Sequence, residues 1–203
     1  MENLNTYNVF KYLIWKVIVM SDKYDKLVFE MPPEVNAIST PEGDLGYIAS
    51  PQAYFRGASQ IPGSNFNIGF QIVVKPFFLD RVPHRHEVDE YLFFLGGSFP
   101  NTYDFDADIE FTIGTKGEDA KVYHITKPTV IRIPAGVTHC PLNFKRIDKP
   151  VMFMAALMQN MFSATYDFEE GQKELWYNGP VMCKLEPDKK CNSCRKCLSE
   201  DWQ

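Results

Sequence analysis

"PHRHEVDEYLFFLG", residues 83 to 96, sets two histidines one residue apart, a glutamate four residues after the second, and a run of apolar and aromatic residues behind them. Successive side chains on an extended chain alternate faces, so His84 and His86 share one face and Arg85 takes the other. With a bulge before Glu90, the same parity keeps Leu92 and Phe94 inward and turns Tyr91 and Phe93 outward. Three good metal-binding side chains therefore stand at the mouth of what reads as a buried strand. A single histidine in such a place is ordinarily a hydrogen-bonded core residue, and a pair on one face can arise by chance.

A second stretch changes that balance. "PAGVTHCPLN", residues 134 to 143, gives a Pro-x-Gly turn, His139 three residues after the glycine, and Asn143. Together the two stretches resemble the motifs of the cupin superfamily, H-x-H-x3-E-x5-G and P-x-G-x2-H-x3-N, with every named position present. The resemblance covers about residues 66 to 160. It departs from the family where glycines usually open each motif, since Phe78 and "KPTVIRI" stand there instead. What it implies is an all-β fold of cupin type, a double-stranded β-helix or jelly-roll barrel, with His84, His86, Glu90 and His139 as ligands of one divalent transition metal. Asn143 would fix the turn or the surroundings of the ligands. Three imidazoles and a carboxylate suit Fe, Mn, Ni, Cu or Zn and leave one or two positions open for water, dioxygen or an oxygen-bearing substrate.

The segments around these motifs agree with an all-β reading. Short β-branched and aromatic runs at 66–74, 90–96, 108–114, 121–126, 129–134, 139–147 and 151–158 are separated by Gly, Pro, Asp and Asn, which argues an antiparallel sandwich or barrel. Three parts follow: residues 1–65 as an N-terminal extension with extra strands at "YIAS" and "AYFRG", residues 66–160 as the barrel, and residues 161–203 as a short C-terminal helix over "DFEEGQKELW" plus a cysteine-rich tail.

Cys183, Cys191, Cys194 and Cys197 in that tail can hold a structural zinc or an iron–sulfur cluster, with zinc favoured because no Cys-Pro follows Cys197; free thiols are the plain alternative. Cys140, beside His139, faces away from that ligand if the strand is regular and reads as a small buried hydrophobe. His124, outside both motifs, is a candidate acid or base beside Glu90 if it faces the cavity. Arg56, Gln71, Lys75, Arg81 and Arg132 are candidates to hold a substrate carboxylate.

With 21 basic against 26 acidic residues, no surplus of positive charge exists to bind phosphate backbones, so nucleic acid is not expected as a partner. The apolar run at residues 9–20 is broken by Lys11 and Lys16, is too short to span a bilayer, and has no small-residue cleavage site. A cytoplasmic protein is expected, with residues 1–19 either an upstream-start artefact or a helix packed on the domain. Edge-strand pairing would make it a homodimer. The function that follows is a metal-dependent enzyme acting on a small organic acid or aromatic compound, by oxygenase or by isomerase or lyase chemistry. The alternative is a non-catalytic cupin that binds or senses a small molecule through its metal.

Overall fold

The protein is described by a computed structural model at residues 24–31, 33, 46–115, 119–160, 162–168 and 171–177. Residues 1–19 and the four tail cysteines lie outside these. The chain divides after Glu30. Of the first unit, the described part is residues 24–30, with one turn of 3-10 helix at Asp25–Leu27.

In the second unit the described strands are β1 (Ala53–Phe55), β2 (Asn67–Val73), β3 (Phe77–Asp80), β4 (His84–Arg85), β5 (Glu90–Gly96), β6 (Ala107–Ile113), β7 (Lys121–Ile125), β8 (Thr129–Ile133), β9 (His139–Ile147), β10 (Val151–Leu157), β11 (Phe162–Phe168) and β12 (Gly171–Tyr177). All pairings among them are antiparallel, in two sheets. One has the order β1-β2-β10-β5-β8; the other runs β12-β11-β4-β9-β6-β7, with β3 also on β9. Neighbours distant in sequence, such as β2 beside β10, give the two-sheet jelly-roll arrangement.

Alternation along each strand decides which face is buried. On β5, Glu90, Leu92 and Phe94 are buried while Tyr91 and Phe93 are only partly so, as the parity of the sequence requires. Leu157, Ala155 and Phe153 of β10 lie opposite them on the inner face. Phe94 meets Phe153 at 5.2 Å between ring centroids and Phe144 of β9 at 6.3 Å, and Phe77 stacks on Phe144 at 5.5 Å. This aromatic layer joins the two sheets at their centre. β5 and β9 each begin with a site residue, Glu90 and His139, and place that layer about 13–17 Å further along at 3.3 Å per residue. Phe94 therefore belongs to the packed core.

One expectation about organisation is corrected. The described residues of 167–176 form no helix: they end β11 and make β12, paired as antiparallel strands from Phe162↔Tyr177 to Phe168↔Gly171. Gly171 has φ +123°, a conformation that a helix does not contain, and Asp167 and Phe168 pair with Gln172 and Gly171 across the two strands. The sheets take in residues outside 66–160: on the N-terminal side within the stretches "YIAS" and "AYFRG", and on the C-terminal side at β11 and β12. β1 pairs with β2, Ile48 bridges to Val73, and β11 joins β4. No helix among the described residues is long and apolar enough to cross a membrane.

Candidate metal centre

The Pro-x-Gly segment shows why the second motif has its form. The Val137 amide donates to the Pro134 carbonyl at 3.1 Å, closing a turn whose third residue, Gly136, has φ +79°. The Gly136 amide then donates to the His86 carbonyl at 2.7 Å, tying this turn to the first motif. Asp89 reinforces the tie: its carboxylate accepts from the Arg132 side chain at 2.7 Å and from the Ala135 amide at 3.1 Å. Glu90 and the turn that delivers His139 are thus clasped together by the residue preceding the glutamate. The Arg132 guanidinium holds the Asp89 carboxyl below its ordinary range.

The turn sends His139 into β9 directly opposite His84 of β4. Arg85 points away and meets Asp167 at 3.5 Å, so His86 returns to the inner face. The three rings converge, with centroids 4.4 Å apart for His84–His139 and 5.2 Å for both His84–His86 and His86–His139. All are buried, as is Glu90. Glu90 Oε2 lies 3.1 Å from Nε2 of His139 and 3.5 Å from Nε2 of His86. Both ring nitrogens are buried and face this carboxylate without a hydrogen bond.

The opposite nitrogen of every ring is engaged by a backbone carbonyl. His84 Nδ1 lies 3.1 Å from the Val82 oxygen, His86 Nδ1 2.6 Å from that of Ser163, and His139 Nδ1 3.0 Å from that of Val137. A carbonyl oxygen only accepts, so each Nδ1 carries the proton and each neutral ring keeps its lone pair on Nε2. This is the arrangement in which a second partner orients a metal-ligating imidazole. His86, Glu90 and His139 bring ligand atoms within 4.8 Å of one another; His84 and His139 do so with Cys140, so two triads share His139. The residues present fit a divalent ion, because two buried Nε2 atoms that meet no hydrogen bond face the Glu90 carboxylate, and a cation among them would satisfy all three.

Burial drives the His84 pKa down to about 3, helped by the neighbouring His139 and His86. For His86 burial also works downward, but the Glu90 carboxylate outweighs it and the net shift is upward. Burial works to raise Glu90, yet the charge of His86 and the close approach of His139 hold it well below the ordinary carboxylate range. The Glu90 carboxylate thus holds its charge inside the barrel through the two imidazoles it faces.

Several surrounding residues have no signature in the motifs. Tyr166 of β11 packs its ring 4.6 Å from that of His84 and donates to Asp80 at 3.3 Å; Asp80 in turn lies 3.6 Å from His84 Nδ1. Phe162 meets His86 edge-on at 5.2 Å, and Ser163 supplies the carbonyl behind it. β11 thus backs two of the three imidazoles.

Other candidates fall elsewhere. His124 does not face the cavity: its side chain is 55% exposed on β7, at the edge of its sheet, between Asp108 at 3.2 Å and Glu110 at 3.8 Å. Asn143 shares that outer row, donating to Glu110 at 3.5 Å, rather than lying behind the ligands. Of Arg56, Gln71, Lys75, Arg81 and Arg132, only Gln71 is buried; its amide donates to the Tyr54 hydroxyl at 2.6 Å. Arg132 is committed to Asp89. Cys140 is buried as expected, but the strand around it is irregular and does not turn it away from His139.

No protein-family model matches the chain, and no curated protein sequence matches it. Among solved structures it is similar to oxalate decarboxylase from Bacillus subtilis at pH 4.6, at 12% identity and TM-score 0.41, over 61% of this chain and 27% of that one. A second structure of that enzyme, concerned with its Mn(II) centres, matches at 13% identity and TM-score 0.41, over 57% of this chain and 27% of that one. The chain thus spans about a quarter of their length. The reading of this fold rests on its own sheets, where the two motifs of the cupin resemblance meet inside a two-sheet barrel.

Proposed function

We propose that this protein binds one divalent transition metal through His84, His86, Glu90 and His139, and that the centre is catalytic. Its substrate is a small organic acid or aromatic compound with an oxygen donor. The observation that carries the reading is the common orientation of the imidazoles, each with Nδ1 on a backbone carbonyl and Nε2 left as the ligand atom. A bound divalent ion supplies Lewis acidity, together with coordination positions that the protein leaves open.

The residues supply the remainder. Val82, Ser163 and Val137 fix the tautomers, and Glu90 brings a negative charge that offsets part of the ion's charge. The aromatic neighbours Phe162 and Tyr166 keep water from the ligands' backs, and the Asp89 clasp holds both motifs in register. Oxygenase and isomerase or lyase chemistry are both compatible with this donor set.

The test is metal analysis of the purified protein, followed by turnover assays over a panel of organic acids and aromatic compounds with and without dioxygen. Glu90→Gln and His139→Ala should bind less metal and lose turnover while keeping the fold. Stoichiometric metal with ligand binding and no turnover would favour the sensing alternative; absence of metal binding would end both.

A further inference from the structure

Cys140 adjoins the metal centre through an irregularity in β9. In the β6–β9 ladder Phe111 pairs with Leu142 and Ile113 with His139, so Cys140 and Pro141 together oppose the single residue Thr112. This is a β-bulge, and it resets the alternation of the strand: His139, Cys140, Leu142 and Phe144 are all buried, whereas Asn143 turns to the outer face. Cys140 itself has φ +76°, the only positive φ recorded for a non-glycine residue among the described residues. An L-residue is strained there, and such strain concentrates at functional positions.

Two observations point to a ligand at this place. The sulfur lies within 4.8 Å of ring nitrogens of both His84 and His139, the grouping that a single ion draws together. Independently, Nε2 of His139, in a residue 1% exposed, is a buried nitrogen without a hydrogen-bond partner.

We propose that Cys140 supplies a thiolate to the ion held by His84, His86, Glu90 and His139, making the donor set three nitrogens, one carboxylate oxygen and one sulfur. The inference rests on the metal centre proposed above. The coordinating thiol loses its proton to solvent as the metal–sulfur bond forms, and no redox step is involved. Sulfur shifts the preference of the site toward Zn, Fe, Co, Ni and Cu and away from Mn and Mg, which favour oxygen.

The experiment is X-ray absorption at the zinc edge on the zinc-loaded full-length chain with Cys183, Cys191, Cys194 and Cys197 replaced by serine. Since the chain has five cysteines, Cys140 is then its only sulfhydryl. The expected spectrum has a sulfur shell at about 2.3 Å beside nitrogen and oxygen at about 2.0–2.2 Å, and Cys140→Ser removes the sulfur shell while zinc stays bound. Zinc bound in the Cys140-containing chain with nitrogen and oxygen alone overturns the thiolate ligand and leaves the metal centre standing. If that chain binds no zinc, cobalt or iron, the metal centre itself fails and the thiolate with it. The Cys140-containing chain decides by itself, so misfolding of the serine variant does not spoil the test.

Discussion

His84 and His139 stand directly opposite each other across the β4–β9 pair, with ring centroids 4.4 Å apart. A strand of two residues is enough to bring the two motifs together because it is held on both sides, by β9 and by β11. The site therefore depends on groups that never touch its ligand atoms.

Asp89 is the first of these. It accepts from Arg132 and Ala135 and so fixes the turn before His139 relative to Glu90. Asp89→Ala should weaken zinc binding by about 10–100-fold, the range typical of groups that orient ligands, with little change in far-ultraviolet circular dichroism. Unchanged affinity by competition with a chelator would show that the clasp is dispensable.

Gly136 occupies a left-handed turn position with open space where a Cβ would sit, so an alanine there meets strain but no clash. Gly136→Ala should cost roughly 1–2 kcal/mol in urea unfolding. A neutral result would mean that the turn adopts another form without loss.

The aromatic layer is a separate claim. Phe144 is fully buried against Phe77, Phe94 and Phe153. Phe144→Ala should cost about 3–5 kcal/mol, within the range for deleting a core phenylalanine. A loss below about 1 kcal/mol, the scale of a surface substitution, would contradict a packed layer.

The metal-free protein should be less stable in acid. His84 has a native pKa of about 3 against an ordinary 6.5, so between those values the unfolded chain holds a proton that the native one does not, and acid favours unfolding. Glu90, held below its ordinary 4.5, acts in the same direction below that pH. His86 is raised and opposes both, adding stability below 6.5 that is lost as pH rises through its native value. Well below 6.5 both states hold the His86 proton, so its contribution no longer changes, and the loss at His84 decides the slope: the urea midpoint of the metal-free protein should fall from pH 6 to pH 4. A midpoint that rises over that range would contradict the assignment.

Much of this was legible because period-2 patterns and turn residues are local. β5 and β9 have the bounds the sequence predicts, and the inward set Glu90, Leu92 and Phe94 follows from alternation alone. β4 was not legible as a strand, since two residues carry no period. The backing of His84 and His86 by Tyr166 and Ser163 was hidden because those contacts are long-range and the helix expected over 167–176 overlaps the end of β11. Parity misplaced Cys140 because it assumed a regular strand, and nothing in "THCPLN" announces the bulge that also turns Asn143 outward. His124 falls at a sheet edge, and no pattern along its own strand marks it as one.

The most direct test of the central claim is anomalous diffraction from crystals grown with zinc and recorded on both sides of its absorption edge. The account predicts one strong peak in the barrel, about 2.0–2.2 Å from Nε2 of His84, His86 and His139 and from a Glu90 oxygen. A well-ordered barrel with no peak among those four side chains, at saturating zinc, would contradict it.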